Sequence, residues 1–138
     1  MTCIAQHGVL QPLADEDSRW WWEGIAQQRL LLPRCTKCAR YFFPPQPTCP
    51  YCGSSQWEPI EASGHGRVYS WVVVHVPLDP AFQRDVPYTI AAVELDEGPR
   101  VFGRVNDEAL ISEGAPAQAI FYTVDDVPLL GFKLLSPG

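Results

Sequence analysis

At 138 residues the chain has the length of one domain, or of one small domain with a compact appendage. Apolar residues make up 46% and charged residues 19%, the balance of a folded protein, and no apolar run approaches the length that spans a bilayer, so no membrane partner is expected. A formal net charge of −6 works against binding a phosphate backbone, whose affinity comes from Lys and Arg, so nucleic acid is not expected as a partner either.

Residues 1–14 show no periodicity and are predicted to form a loose arm. They carry neither a basic leader nor a continuous apolar block, so the expected compartment is the cytoplasm. Asp15, Glu16 and Asp17 then offer N-cap groups and negative charge to a helix predicted from Ser18 to about Gln28. Within it Trp21 and Ile25 lie four apart, as do Trp22 and Ala26, which gives an apolar stripe that Trp20 widens. Three adjacent tryptophans are not expected to face one core. Trp20, Trp21 and Trp22 are therefore read in two ways: two of them pack on the protein's own body, or the group faces a partner, since aromatic anchors are enriched at interface hot spots.

Leu30 to Leu32 are predicted to form a short strand that leads into a cysteine pair, with a turn at Thr36 to Arg40 and a return at Tyr41 to Phe43. Pro44, Pro45 and Pro47 stiffen the approach to a second cysteine pair. A boundary is placed between Ser54 and Gly64, giving a helix-and-ribbon unit over residues 15–63 and a β-domain over 64–138. From Gly64 the pattern has period two: Val68, Ser70, Val72, Val74 and Val76 are expected on one face of a strand, with Tyr69, Trp71, Val73 and His75 on the other. Pro77 and Pro80 end it, and residues 78–87 read as a long loop. Further strands are predicted at Tyr88 to Leu95, Val101 to Val105, Ala117 to Val124 and Leu129 to Leu135. Short strands punctuated by Gly and Pro suggest a small closed barrel or a sandwich.

Cys35-Thr36-Lys37-Cys38 and Cys49-Pro50-Tyr51-Cys52 are two CxxC pairs, the arrangement of two facing metal knuckles. Four thiolates close a tetrahedral shell and leave no position for a catalytic water, so the expected cofactor is one structural Zn²⁺. Disulfides, a redox dithiol and an iron centre are the other uses of these sulfurs. Doubling of the motif speaks against the redox use, while iron fits the same ligand set. Gly53 suits the turn after the second knuckle, and Ala39 and Arg40 serve the first less typically. Cys3, in the arm, is read as a bystander thiol. His7, His65 and His75 have no sequence feature that ties them to a nucleophile, and no catalytic residues are expected. The acidic groups at Asp125-Asp126 and from Glu94 to Glu97 lack calcium-loop spacing and are read as solvated turn carboxylates.

Arg29-Leu30-Leu31-Leu32-Pro33-Arg34 runs into Cys35-x-x-Cys38, and Tyr41-Phe42-Phe43-Pro44-Pro45 precedes Cys49-Pro50-x-Cys52-Gly53. With the strands Gly66 to His75, Pro87 to Leu95 and Val101 to Val105, this order resembles the DUF35 family over about Asp15 to Leu135. The resemblance implies a mainly β fold: an N-terminal helix, a rubredoxin-like zinc ribbon and a C-terminal OB-fold β-barrel. It also implies a partner. Such chains form hetero-oligomers with thiolase-superfamily enzymes that act on CoA thioesters, so an accessory subunit around a partner dimer is expected, required by an aldolase or acyltransferase whose catalytic groups belong to the partner. A retro-aldolase of steroid side-chain degradation is the expected reaction; a thiolase-like acyltransferase or condensing enzyme, or a free-standing acyl-CoA-binding module, is the alternative. For contact with a CoA thioester, Phe82, Arg84 and Tyr88 are candidates because binding groups often sit on a long loop, and loop anchoring is their other reading.

Overall fold

A computed structural model describes residues 15–135 apart from 78, 79, 81, 82, 84 and 107. Phe82 and Arg84 lie outside the described residues, as do Cys3, His7 and the arm over 1–14. Helix α1 spans Arg19–Ala26. Of the three acids expected to cap it, Asp15 does so, one turn early. Its Oδ1 accepts the Ser18 N–H at 2.8 Å while its own N–H donates to Ser18 Oγ at 3.2 Å, a reciprocal capping box. The helix stops in a left-handed cap at Gln28, φ 61°. There Gln28 N–H donates to Ile25 O at 3.0 Å and Arg29 N–H to Gly24 O at 2.8 Å, which satisfies carbonyls the helix leaves open.

The tryptophans share one core more fully than expected. Trp21 and Ile25 are buried with Leu30, Leu32 and the barrel interior, and Trp20 and Trp22 pack half-buried against the same cluster. Trp22 meets Trp21 edge-on at 4.7 Å, and Trp20 reaches Trp57 at 5.2 Å.

Strand β1, Leu31–Cys35, pairs antiparallel with β2, Trp57–Glu61, setting Leu32 opposite Ile60 and Cys35 opposite Trp57. This corrects the expected return at Tyr41 to Phe43. Tyr41 makes only an isolated bridge to Arg34, and Phe42 turns inward to complete burial, its N–H on Pro33 O at 3.0 Å. Pro59 hid β2 in the sequence, because proline speaks against a central strand. In a two-stranded sheet every strand is an edge, and Pro59 sits opposite Pro33 without loss.

The remaining strands are β3 (His65–Val74), β4 (Tyr88–Leu95), β5 (Arg100–Val105), β6 (Pro116–Val124) and β7 (Val127–Leu134), with a turn of 3-10 helix at Glu108–Leu110. They form a closed barrel in the order β3-β4-β5-β7-β6, antiparallel except where β5 meets β7 at Arg104 and Gly131. Barrel rather than sandwich is thus the outcome. Inside it Val68, Ala91, Val93, Val101, Val105 and Phe132 are buried, and Gly103 lets the Phe132 ring come close to its backbone.

The expected face assignment of β3 holds for only part of the strand. Val68 lies opposite Val93, but Ser70 lies opposite Ala92, so Tyr69 is an extra residue in a β-bulge. One inserted residue reverses the alternation beyond it. Trp71 and Val73 therefore share the inward side of Ala91 and Thr89, while Ser70, Val72 and Val74 turn outward with Ala92, Ile90 and Tyr88.

Candidate metal centre

The two knuckles are built alike. Cys35 ends β1, and its Sγ accepts the N–H groups of Lys37 and Cys38, both at 3.4 Å. Ala39 then closes the turn with its N–H on Cys35 O at 2.9 Å, at φ 66°. In the second knuckle Cys49 Sγ accepts the Tyr51 N–H at 3.4 Å, and Gly53 closes the turn on Cys49 O at 2.9 Å, at φ 78°. Ala39 thus occupies a position that favours glycine, which accounts for the first knuckle's less typical sequence.

These turns bring four sulfurs together. The Sγ atoms of Cys35, Cys38, Cys49 and Cys52 all lie within 4.8 Å of one another, with Cys35 and Cys52 at 3.5 Å and Cys38 and Cys49 at 3.7 Å. Zinc–sulfur bonds of about 2.3 Å in a tetrahedron set sulfur–sulfur edges of about 3.8 Å, so the set fits one tetrahedral ion. The spacing is far too long for disulfides, and all four cysteines are free. Cys35 and Cys49 are buried with Phe42 in a small cluster, Cys38 is half-buried and Cys52 exposed.

Backbone donors tune the sulfurs. The Cys38 N–H, against burial, holds the Cys35 thiol down at about 6. Burial pushes Cys49 up, but the Cys52 and Tyr51 N–H groups outweigh it and its pKa falls. At Cys38 the Arg40 N–H pulls downward, yet burial and the neighbouring sulfurs together push it up to about 11. Thiolate character is thus built in at the two buried sulfurs. A bound zinc links the knuckles and supplies folding free energy.

Other candidates are scattered. His65 opens β3, His75 follows it, and both are exposed. Asp125 and Asp126, at φ 50° and 68°, form the tight β6–β7 turn. Glu94 pairs with Arg100 at 3.5 Å. Glu97 departs from the solvated-turn reading: its Oε2 accepts the Ser63 N–H at 2.8 Å, tying the β4–β5 turn to the end of the ribbon, and its Oε1 is buried. Tyr88 stands at the head of β4 and, with Ile90, Phe102, Gly103, Arg104 and Tyr122, lines a shallow cavity of about 280 Å³ on the barrel's outer face. Arg104 lies 4.2 Å over the Tyr88 ring and 3.4 Å from Asp85 Oδ2.

Residues 22–58 match the model of the ChsH2 rubredoxin-like zinc ribbon domain, and residues 59–121 that of the ChsH2 C-terminal OB-fold domain. A DUF35 domain-containing scaffold protein of Methanocaldococcus jannaschii is 40% identical over 122 residues, which cover 81% of this chain and 85% of that protein. This chain belongs to the DUF35 family. Its sulfur cluster is accordingly the zinc site of a DUF35 rubredoxin-like ribbon, as the cysteine spacing led one to expect. Among solved structures, a chain of an "Ltp2-ChsH2(DUF35) aldolase" superposes with a TM-score of 0.79 and 36% identity, covering 90% of this DUF35 chain and 98% of that one. Two longer relatives also match: a probable enoyl-CoA hydratase alpha subunit of Thermomonospora curvata, 45% identical over 66% of this chain, and a 3-oxo-4,17-pregnadiene-20-carboxyl-CoA hydratase alpha subunit of Mycobacterium tuberculosis, 31% identical over 91%. The chain spans 28% and 40% of their respective lengths.

Proposed function

We propose that this chain is a non-catalytic zinc-ribbon and OB-fold subunit of a cytoplasmic thiolase-like enzyme acting on CoA thioesters, assembled around a dimer of the catalytic partner. Retro-aldol cleavage in steroid side-chain degradation is the reaction we favour. The observation that carries the reading is the likeness, over nearly the whole of its length, to a chain of a structure described as an "Ltp2-ChsH2(DUF35) aldolase". The pregnadiene-carboxyl-CoA name of one relative supports the steroid branch. The chain's own chemistry is consistent with the role: its four clustered thiolates saturate a structural ion and leave no open coordination position.

Co-expression with a thiolase-like protein from the same genome, followed by size-exclusion chromatography and a CoA-thioester cleavage assay, tests the proposal. Co-elution with cleavage activity that depends on this chain is the expected result. Separate elution, and a partner equally active alone, would overturn it in favour of a free-standing acyl-CoA-binding module. Co-elution with acyl transfer instead of cleavage would retain the subunit and reject the aldolase.

A further inference from the structure

The four sulfurs of the metal centre are not equivalent. Cys35 and Cys49 are buried and Cys38 is half-buried, whereas Cys52 is exposed. Its flanks are open as well: Tyr51 on one side is 57% exposed, and a Cβ added at Gly53 on the other would meet nothing within 4 Å. A small solute therefore reaches the shell at Cys52.

Backbone donors divide the sulfurs in the same way. Cys35 Sγ accepts two N–H groups and Cys49 Sγ accepts that of Tyr51, all at 3.4 Å, and the Arg40 N–H donates to Cys38. Among the described residues no N–H donates to Cys52 Sγ in hydrogen-bond geometry; its contact is with Cys35 Sγ at 3.5 Å. A metal holds all four ligands as thiolates. An N–H donor stabilises the negative charge on sulfur and so blunts its attack, which leaves the sulfur without one as the strongest nucleophile of the set. Access and reactivity thus coincide at one residue, with a second thiolate beside it to complete a disulfide.

We propose that Cys52 is an oxidative modification site, the sulfur at which hydrogen peroxide enters the metal shell and unlocks the ribbon tip. The Cys52 thiolate attacks one peroxide oxygen. The S–O bond forms, the O–O bond breaks and hydroxide leaves, so the sulfur is oxidised by two electrons to a sulfenic acid and the peroxide is reduced. Cys35, 3.5 Å away, then attacks the Cys52 sulfur: an S–S bond forms, the S–O bond breaks and a second hydroxide leaves. Two thiolates and one hydrogen peroxide yield one disulfide and two hydroxides. Cys38 and Cys49 remain, half of the ligands that a tetrahedral ion needs, and the ion is given up. The order of the tip goes with it, because Phe42 is the one large side chain buried with the cysteines. No step requires the partner enzyme, so the inference stands apart from the accessory-subunit reading.

The test uses the full zinc-loaded chain. Of its five cysteines, Cys3→Ser leaves only the four ligands. Substoichiometric hydrogen peroxide, followed by dimedone trapping of sulfenic acid and peptide mass mapping, should mark Cys52 first. Without the trap, the first disulfide should join Cys35 to Cys52, and capture of zinc by a chromogenic chelator should rise in step with it. A first mark on Cys35, Cys38 or Cys49 would overturn the proposal, as would a first disulfide that leaves Cys52 out or lies within one CxxC pair, or zinc retained after Cys52 is oxidised. Cys52→His keeps four ligands and removes the entry sulfur, so once loaded it should lose zinc to peroxide at least about tenfold more slowly than the parent. Undiminished release from that variant would also refute the assignment. If Cys52→His takes up no zinc, the mapping on the parent decides by itself.

Discussion

Removing the metal should melt the ribbon tip and spare the barrel, because the buried side chains divide between two clusters. Cys35, Phe42 and Cys49 form a cluster of their own, with Cys38 and Trp57 at its margin, whereas Leu30 and Leu32, at the root of the same ribbon, belong to the barrel's core. Without zinc the tip over 36–56 retains one fully buried large apolar side chain, Phe42, whose burial contributes about 1.5–3 kcal/mol, while Tyr41 and Phe43 lie only half-buried against the barrel's core. Structural zinc supplies on the order of 10 kcal/mol in modules of this kind, so the tip cannot stay ordered without it. The barrel retains Val93, Val101, Phe132 and Leu134, together with Trp21 and Ile25 from the helix. Chelation, or Cys49→Ser, should therefore collapse the amide dispersion of 36–56 in ¹⁵N-¹H spectra, while resonances of β4 to β7 keep their positions. Trp57, packed against Phe42 at 6.4 Å, should report the change by fluorescence. Simultaneous loss of barrel resonances, or a tip that stays dispersed after stoichiometric metal release, would refute the division.

Metal retention should fall with acid. The Cys35 pKa is lowered from 9.0 to about 6, so the thiolate's contribution is fully present above pH 9 and lost as pH falls through about 6. A chromogenic chelator should accordingly capture zinc ever faster below that pH; release that does not change between pH 8 and 5 would contradict the assignment. Because Cys38 is pushed up to about 11, zinc binding near neutral pH should displace its proton, measurable as buffer-dependent heat in titration calorimetry. Ala39→Gly, at φ 66°, should stabilise the ribbon by about 1 kcal/mol and lower the zinc dissociation constant about fivefold, while Gly53→Ala, at φ 78°, should do the reverse. Gly103→Ala would place a Cβ 2.7 Å from Phe132 Cδ2, inside the barrel; it should cost about 1–3 kcal/mol in urea unfolding, and no loss would mean the ring can retreat.

The zinc site was legible in the sequence because a CxxC pair is a local device: sequence spacing alone sets the reach of two sulfurs, and the knuckle backbone needs only a residue in the left-handed region after the second cysteine. Strands with strict alternation and clear turns were legible for a similar reason, and β4 was expected over the residues it occupies, Tyr88–Leu95. What was not legible depends on partners distant in sequence. Strand β2 exists because β1 pairs with it, and Trp-Glu-Pro-Ile-Glu has no periodicity of its own to announce it. The signal that could have found it is the need of β1, short and apolar, for a neighbour. Glu97 was read as a solvated turn acid, and its tie to Ser63 is invisible until the β4–β5 turn folds back on the ribbon's end. The tryptophans show where a purely helical geometry misleads. A single helix cannot point three consecutive side chains at one core, but a core that extends around the helix into the ribbon can receive the middle one and flank it with the others.

The bulge at Tyr69 is the point where local and distant effects meet. Read with unbroken alternation, β3 has an apolar valine face and an aromatic face, the pattern of a strand with a core on one side. The extra residue reverses the phase past Val68, so the valines split between inward and outward sides, and Trp71 falls on the inward side opposite Ala91. Apolar side chains thus stay exposed on both sides of β3 beyond the bulge, Trp71 at 39%, Val72 at 60% and Val73 at 44%, where the strand has only β4 beside it among the described residues. Trp21 of the helix, Leu32 at the root of the ribbon and Phe132 of the barrel lie in one buried cluster, so the phase change in β3 leaves the core itself continuous.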